Sequence, residues 1–374
     1  MSIKRVGVIG GGQLAWMMAE AGKKLGVDLI IQTPHPDDPA VAIAHEVILA
    51  PIDDANATAK LVDKCDVITF ENEFIDLDRL KQLEAKGACF RPSLSALSPL
   101  LDKYQQRCYL QEIGIRVPQF ALLDGTLAID FSFPVVVKAR RHGYDGQGTF
   151  ILNTSTELAE LYERLKDVPL MIEEYIPFER ELAIMAARNV TGDIVTYPVV
   201  ESHQKDQVCR WVISPAAIAE TIQIEAKKMT KHLLTQLDVV GIFGIEFFLT
   251  LEGQLLVNEI APRTHNSGHY TLDACDISQF EMQLRAVTED SLKLGKLNCI
   301  GAVMVNLLGY EHSHHDYGQK RAKIAQLPNA YVHWYGKTES RPGRKLGHAT
   351  VLLKDSQINP QAIVKKIESI WYET

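Results

Sequence analysis

The stretch EFFLTLEGQLLVNE, residues 246–259, constrains the fold more than any other part of the chain. Two apolar runs flank Glu252-Gly253, a dipeptide suited to a tight hairpin turn. With those two residues as the turn, Leu251 pairs with Gln254, and counting outward sets Glu246 opposite Glu259. Cross-strand neighbours on one face lie about 5 Å apart at Cβ, and like charges placed so are destabilising. The flanks GIFGI and LLV are apolar, so full solvation of both carboxylates is not expected. A cation between them removes the conflict. Mg²⁺ suits the place, because it takes oxygen ligands and is commonly held by one or two carboxylates plus substrate phosphates.

A second glycine-rich stretch, VKARRHGYDGQGTF, follows an apolar strand that ends at Lys138. Strand resumes over Thr149 to Leu152, so the loop joins strand to strand. A P-loop would run into a helix and contain G-K-[ST]; this form is that of a flap over a triphosphate. An ordinary hairpin turn beside a solvated lysine remains the alternative. Further on, IEEYIPFERE ends a strand in two acids and supplies Glu181, a carboxylate able to accept from ribose hydroxyls.

The chain opens on RVGVIGGGQLAWMM, where Gly10, Gly12 and Ala15 fit the G-x-G-x-x-G/A spacing of a dinucleotide loop. Such a site needs an acid at the end of the second strand to hold the ribose. Gln32 stands there, and Asp37 and Asp38 come late, in a proline-rich loop. Strand and helix alternate to about residue 100, which implies a parallel, doubly wound sheet. From 101 to 298 antiparallel strand runs dominate, among them PVVVKA, PLMIEEYI, ELAIMAARN, IVTYPVV and VCRWVIS, with a helix near 218–237. Residues 299–374 read as a small β-rich unit closed by a helix from about 360.

At 374 residues the chain has room for two or three cores. Its net charge of −8 disfavours nucleic acid and points to small anionic ligands met by local basic pockets. No apolar run is long enough to span a bilayer, no signal core opens the sequence, and the six cysteines lack metal-type spacing. A cytoplasmic enzyme with no membrane partner is expected.

Taken in order, these pieces resemble the ATP-grasp superfamily: a doubly wound amino-terminal domain, a strand lysine, a glycine flap, an EEYI hinge and a paired-glutamate hairpin. More narrowly, GGGQL, GYDGQG, VNEIAPRTHNSGHYT and GRKLGH resemble the 5-(carboxyamino)imidazole ribonucleotide synthetases of purine biosynthesis. That resemblance implies an α/β and α+β chain: a Rossmann-like domain over 1–100, an ATP-grasp domain over 101–298 with its flap subdomain at about 118–190, and a β-rich domain over 299–374. It implies carboxylation of 5-aminoimidazole ribonucleotide (AIR) with bicarbonate at the expense of ATP, with Mg²⁺, in a homodimer.

The resemblance also distributes roles. Lys103, Lys138, Gly143, Tyr144, Asp145, Gly146, Gln147, Gly148, Thr149, Glu173, Glu174, Tyr175, Ile176, Glu181, His203, Asn258 and Glu259 would bind ATP, with Glu246 and Glu259 on the metal. Gly12, Gln13, Leu14, Glu73, His265, Asn266, Ser267, Lys337, Arg344 and Lys345 would bind AIR, and Asp145 and Arg263 would serve catalysis. Competing readings are a formate-using glycinamide ribonucleotide transformylase, a nicotinamide oxidoreductase and a nucleotide-binding regulator without turnover. One departure is Trp16, where many relatives carry arginine.

Overall fold

A computed structural model describes residues 3–124, 131–141, 148–288 and 291–373. Gly143, Tyr144, Asp145, Gly146 and Gln147 therefore lie outside the described residues.

The first unit is a four-stranded parallel sheet of β1 (Arg5–Ile9), β2 (Asp28–Thr33), β3 (Glu46–Leu49) and β4 (Val67–Phe70), in the order β3-β2-β1-β4. Parallel pairing requires crossovers, and helices Gln13–Leu25 and Ala55–Val62 supply two of them. The first buries Leu14, Ala15, Met17, Met18 and Ala19 on one stripe and ends at Gly26, which is left-handed at φ 68°. The second begins at Asp54, whose carboxylate accepts from the Asn56 and Ala57 N–H groups. Phe280, Leu284 and Val287, on helix Gln279–Val287, share a core with Val6, Leu14 and Met18. That contact fastens the first unit to the central one.

The second sheet is antiparallel, with β5 (Phe120–Leu123), β6 (Val135–Ala139), β7 (Thr149–Leu152) and β8 (Leu170–Glu174) in the order β5-β8-β6-β7. Helix Ser155–Arg164 covers it through Leu158 and Leu161. Strand β5 left no clear sequence signal, because Ala121 and Leu122 are both exposed and no polar-apolar alternation results.

The largest sheet contains β9 (Phe178–Arg188), β10 (Ile194–Thr196), β11 (Val200–Lys205), β12 (Val208–Ser214), β13 (Gly241–Thr250), β14 (Leu255–Ala261), β15 (Gly301–Leu308), β16 (Ala330–Trp334) and β17 (Lys345–Leu353). The order is β14-β13-β9-β11-β12-β15-β17-β16, with β10 beside β9. The sheet passes through residue 299 without a break, since β12 pairs with β15. IVTYPVV, read as one strand, is two: Pro198 has no N–H to give a ladder, and the chain re-enters as β11. Helix Glu220–Gln236 packs Ala226, Leu233 and Leu234 against Phe243 and Phe247 of β13.

The β13–β14 hairpin brings Glu246 opposite Glu259, as counted from the sequence, by a different route. Thr250 donates its N–H to the Gln254 carbonyl at 2.9 Å. The loop is thus three residues, Leu251 to Gly253, with Gly253 left-handed at φ 79°. This shifts the register by one, so that Leu249 faces Leu255; a bulge between Glu246 and Phe247 admits Asn258 as an extra residue and shifts it back.

Candidate active site

The three sheets enclose one cleft of about 1580 Å³. Its centre is a buried charge cluster. Lys138, next to last in β6, is 8% exposed, and its Nζ lies 2.6 Å from Glu173 Oε2. The other oxygen of Glu173 meets Arg107 Nε at 2.5 Å. Burial opposes ionisation of Glu173, and Arg107 and Lys138 outweigh it, holding the carboxyl down at about 2. Burial pushes Lys138 below the usual lysine range, against the pull of Glu173. Sequence reading missed Arg107. It is one turn along the helix that Lys103 begins, an arginine in a polar stretch with nothing local to mark it as 2% exposed.

Lys103 reaches Glu259 at 3.0 Å, so one member of the glutamate pair has a cation. Among the described residues its neighbour has none as close. Glu246 receives Gln204 Nε2 at 3.4 Å, and His265 Nδ1 stands 3.8 Å away. Burial and the facing Glu259, with Glu181 next, raise the Glu246 carboxyl to about 8, while burial of Glu259 is overcome by Lys103 and it falls to about 2. Glu181, on β9, accepts the Gln204 N–H at 3.3 Å and is raised to about 7 by burial. Three carboxylates thus converge on a partly desolvated wall, and among the described residues Lys103 is the cation paired within 3.0 Å to one of them. That frustration, together with hard oxygen donors, fits a divalent ion held by Glu246 and Glu259.

Beside this wall, Glu174 accepts the Gln119 N–H at 2.8 Å, and Tyr175 and Ile176 line the cleft. Phe178 and Phe248 stack at 4.8 Å to give a flat apolar surface nearby, a pairing across β9 and β13 that spacing alone did not reveal. Asn258 turns its Oδ1 to Lys138 at 3.3 Å. Thr149, opposite Lys138 in the ladder, also lines the cleft; Gly148, before it, is left-handed at φ 83°.

The amino-terminal loop is built around a residue not singled out from the sequence. Glu71, just after β4, accepts the Gly12 N–H at 2.7 Å and the Leu14 N–H at 3.1 Å. A Cβ on Gly12 would sit 2.5 Å from Glu71 Oε1, which explains glycine there without any phosphate. The positive end of the first helix is therefore filled by a carboxylate of the chain itself. Gln32, in place of the ribose-binding acid, donates to the Pro51 carbonyl at 2.7 Å and accepts from Thr58 at 2.8 Å. The dinucleotide reading is not favoured, since its phosphate and ribose positions here are taken by the chain's own groups. For the ribonucleotide reading, Gly12 and Leu14 are correspondingly less free than expected, and Gln13 between them lines the cleft.

Other expected residues divide. Arg263 grips Glu73 with two bonds, Nε to Oε2 at 2.8 Å and Nη2 to Oε1 at 3.0 Å, and both line the cleft as one pair. Asn266 also lines it, locked to Asn306 by reciprocal amide bonds of 3.0 and 2.7 Å. Ser267 does not: it is buried, with its Oγ 2.9 Å from His265 Nδ1. His203 does not either: its ring stacks at 5.0 Å on Trp211, its cross-strand partner in β12, and Gln204, next along β11, faces the cleft instead. Lys337, Arg344 and Lys345 all line the cleft; Lys337 Nζ donates to the Lys345 carbonyl at 2.9 Å and Arg344 Nη1 to the Glu339 carbonyl at 3.0 Å. His269, at the cleft wall, is held well below the usual histidine range by burial, then by Lys345. No helix among the described residues is long and apolar enough to cross a membrane.

Comparison with known proteins agrees along the whole length. Residues 3–98 match the ribonucleotide synthetase preATP-grasp domain, 108–280 the ATP-grasp domain, and 302–359 the phosphoribosylaminoimidazole carboxylase C-terminal domain. The N5-carboxyaminoimidazole ribonucleotide synthase of Synechocystis is 52% identical over 98% of this chain and 98% of its own. Two solved structures superpose closely. The Staphylococcus aureus N5-carboxyaminoimidazole synthetase with ADP is 35% identical at TM-score 0.90, covering 98% of this chain and 97% of that one. The Aspergillus clavatus N5-carboxyaminoimidazole synthase with ADP and 5-aminoimidazole ribonucleotide is 28% identical at TM-score 0.92, covering 99% of each. An ATP-grasp domain over residues 108–280 and half-identity to a relative of equal span together place this chain in the N5-carboxyaminoimidazole ribonucleotide synthase family.

Proposed function

We propose that the chain is an ATP-dependent carbon-nitrogen ligase that joins bicarbonate to the exocyclic amine of AIR, releasing 5-(carboxyamino)imidazole ribonucleotide, ADP and phosphate in purine biosynthesis. The observation that carries this reading is the Lys138–Glu173–Arg107 cluster set beside the Glu246–Glu259 pair in one cleft. Bicarbonate is a poor electrophile. Transfer of the γ-phosphoryl group to its oxygen gives carboxyphosphate, which has a leaving group. The amine of AIR then attacks that carbon, or the carbon dioxide set free from it, and phosphate departs.

Lys103 and Lys138 are suited to the charge that gathers on the phosphoryl oxygens, fixed in place by their carboxylate partners so that little reorganisation is needed. Glu246 and Glu259 would hold Mg²⁺, which neutralises phosphate charge when bound. The apolar Phe178–Phe248 surface and the strand end at Glu174 to Ile176 suit a base, and Glu181 suits a ribose. Residues 1–100 and 299–374 would shape the AIR side of the cleft, with Lys337, Arg344 and Lys345 toward its phosphate. The Arg263–Glu73 pair would open to, or orient, the reacting carboxyl and amine. Carboxyphosphate hydrolyses readily, so a flap over 143–149 would exclude water, with Asp145 at the amine. A homodimer in the cytoplasm completes the reading.

Phosphate release measured with bicarbonate and AIR, added singly and together, tests it. Release that needs both supports the ligase. Release driven by formate and glycinamide ribonucleotide, or none at all, overturns it.

A further inference from the structure

Arg107 closes a ring of contacts that no single element could make. Its Nε meets Glu173 Oε1 at 2.5 Å, and its Nη2 donates to the Asn258 carbonyl at 2.7 Å. Glu173 Oε2 meets Lys138 at 2.6 Å, and Lys138 returns to Asn258 Oδ1 at 3.3 Å. Glu173 lies on β8 and Asn258 is the bulge residue of β14, so the guanidinium bridges two sheets.

A Lys138–Glu173 pair alone would be neutral; Arg107 adds a second cation to the same carboxylate and leaves one positive charge in excess. Burying an unbalanced charge costs stability, and ion pairs of this kind are not a cheap way to hold a fold together. An arriving anion supplies the missing partner. With Glu173 divided between two cations, Lys138 is not neutralised by its own neighbour.

We propose that Arg107 is a positioning residue for the nucleotide: it shares Glu173 with Lys138, keeping the lysine available to phosphate oxygens, and it pins the Asn258 bulge that aims Asn258 and Glu259 into the cleft. This rests on the nucleotide reading given above. Groups that face Lys138 from the packed elements are Glu173, Arg107 and Lys103, with Glu259 beyond Asn258.

The test compares Arg107→Met, Arg107→Lys and the double variant Arg107→Met/Glu173→Gln with the unaltered chain. Calorimetry gives the Mg-ADP dissociation constant without AIR or bicarbonate; steady-state kinetics gives KM for ATP and AIR. Arg107→Met should weaken ADP binding and raise the ATP KM about 10-fold or more, leaving the AIR KM within about twofold. Arg107→Lys should restore most of the loss. The double variant should recover part of it, because no carboxylate then neutralises Lys138, a coupling that simple loss of structure does not produce. ADP binding by Arg107→Met within about twofold of the unaltered chain overturns the proposal, as does a double variant no better than the single one. If Arg107→Met does not fold, the double variant decides: affinity within about tenfold supports the role, and no binding overturns it. An unaltered chain that binds Mg-ADP and does not turn over AIR would sink the ligase reading and leave this comparison intact.

Discussion

Glu71 accepts the Gly12 N–H at 2.7 Å, so the chain itself supplies an anion to the glycine-rich opening. The loop approaches a carboxylate of its own domain, which sits where a cofactor phosphate would lie. Gly12→Ala should lower stability by about 1–3 kcal/mol, because a Cβ would press on Glu71 at 2.5 Å. Denaturant unfolding of the two proteins checks this. NAD should leave the melting temperature unchanged while Mg-ATP raises it.

Glu259→Gln should fold normally and lose AIR-dependent phosphate release by about 100-fold or more, since it removes a charge from both Lys103 and the proposed metal position. Turnover near that of the unaltered enzyme would count against the metal assignment.

Glu246 carries a pH signature. Its carboxyl is raised from 4.5 to about 8 by burial, Glu259 and Glu181, with Lys345 and Lys103 pulling the other way. A raised acid favours the folded state below its unfolded value, and that contribution is lost progressively as pH climbs from 4.5 to about 8. In chelator and without nucleotide, Glu246→Gln should therefore match the unaltered chain near the lower bound and exceed it in melting temperature toward the upper. Parallel pH profiles of the two would show Glu246 to be uncoupled from folding.

Arg344→Ala should raise the KM for AIR about 10-fold, the worth of one charge-assisted bond to phosphate, and leave the ATP constant nearly unchanged. Movement of the ATP constant instead would place the loop on the other side of the cleft.

Legibility followed the range of the interaction. Alternating strand and helix to residue 100, the strand carrying Lys138 and the closing helix from Pro360 were readable, because each is set by local periodicity and by cap or turn residues. The Glu246–Glu259 pairing was readable too, although by a count in which a longer turn and a bulge offset each other.

What the amino-acid order determined by itself was the kind of elements, their succession and the chemical types available to the cleft. Tertiary structure decided which of those groups are partnered. Arg107 on Glu173, Arg263 on Glu73 and Glu71 on Gly12 join residues 59 to 190 positions apart. His203 and Ser267 were taken from the cleft, one by stacking on its cross-strand partner Trp211 and the other by burial. The physical reason is that charge and hydrogen-bond pairing depend on distance and desolvation in space, and neither is set by neighbours along the chain.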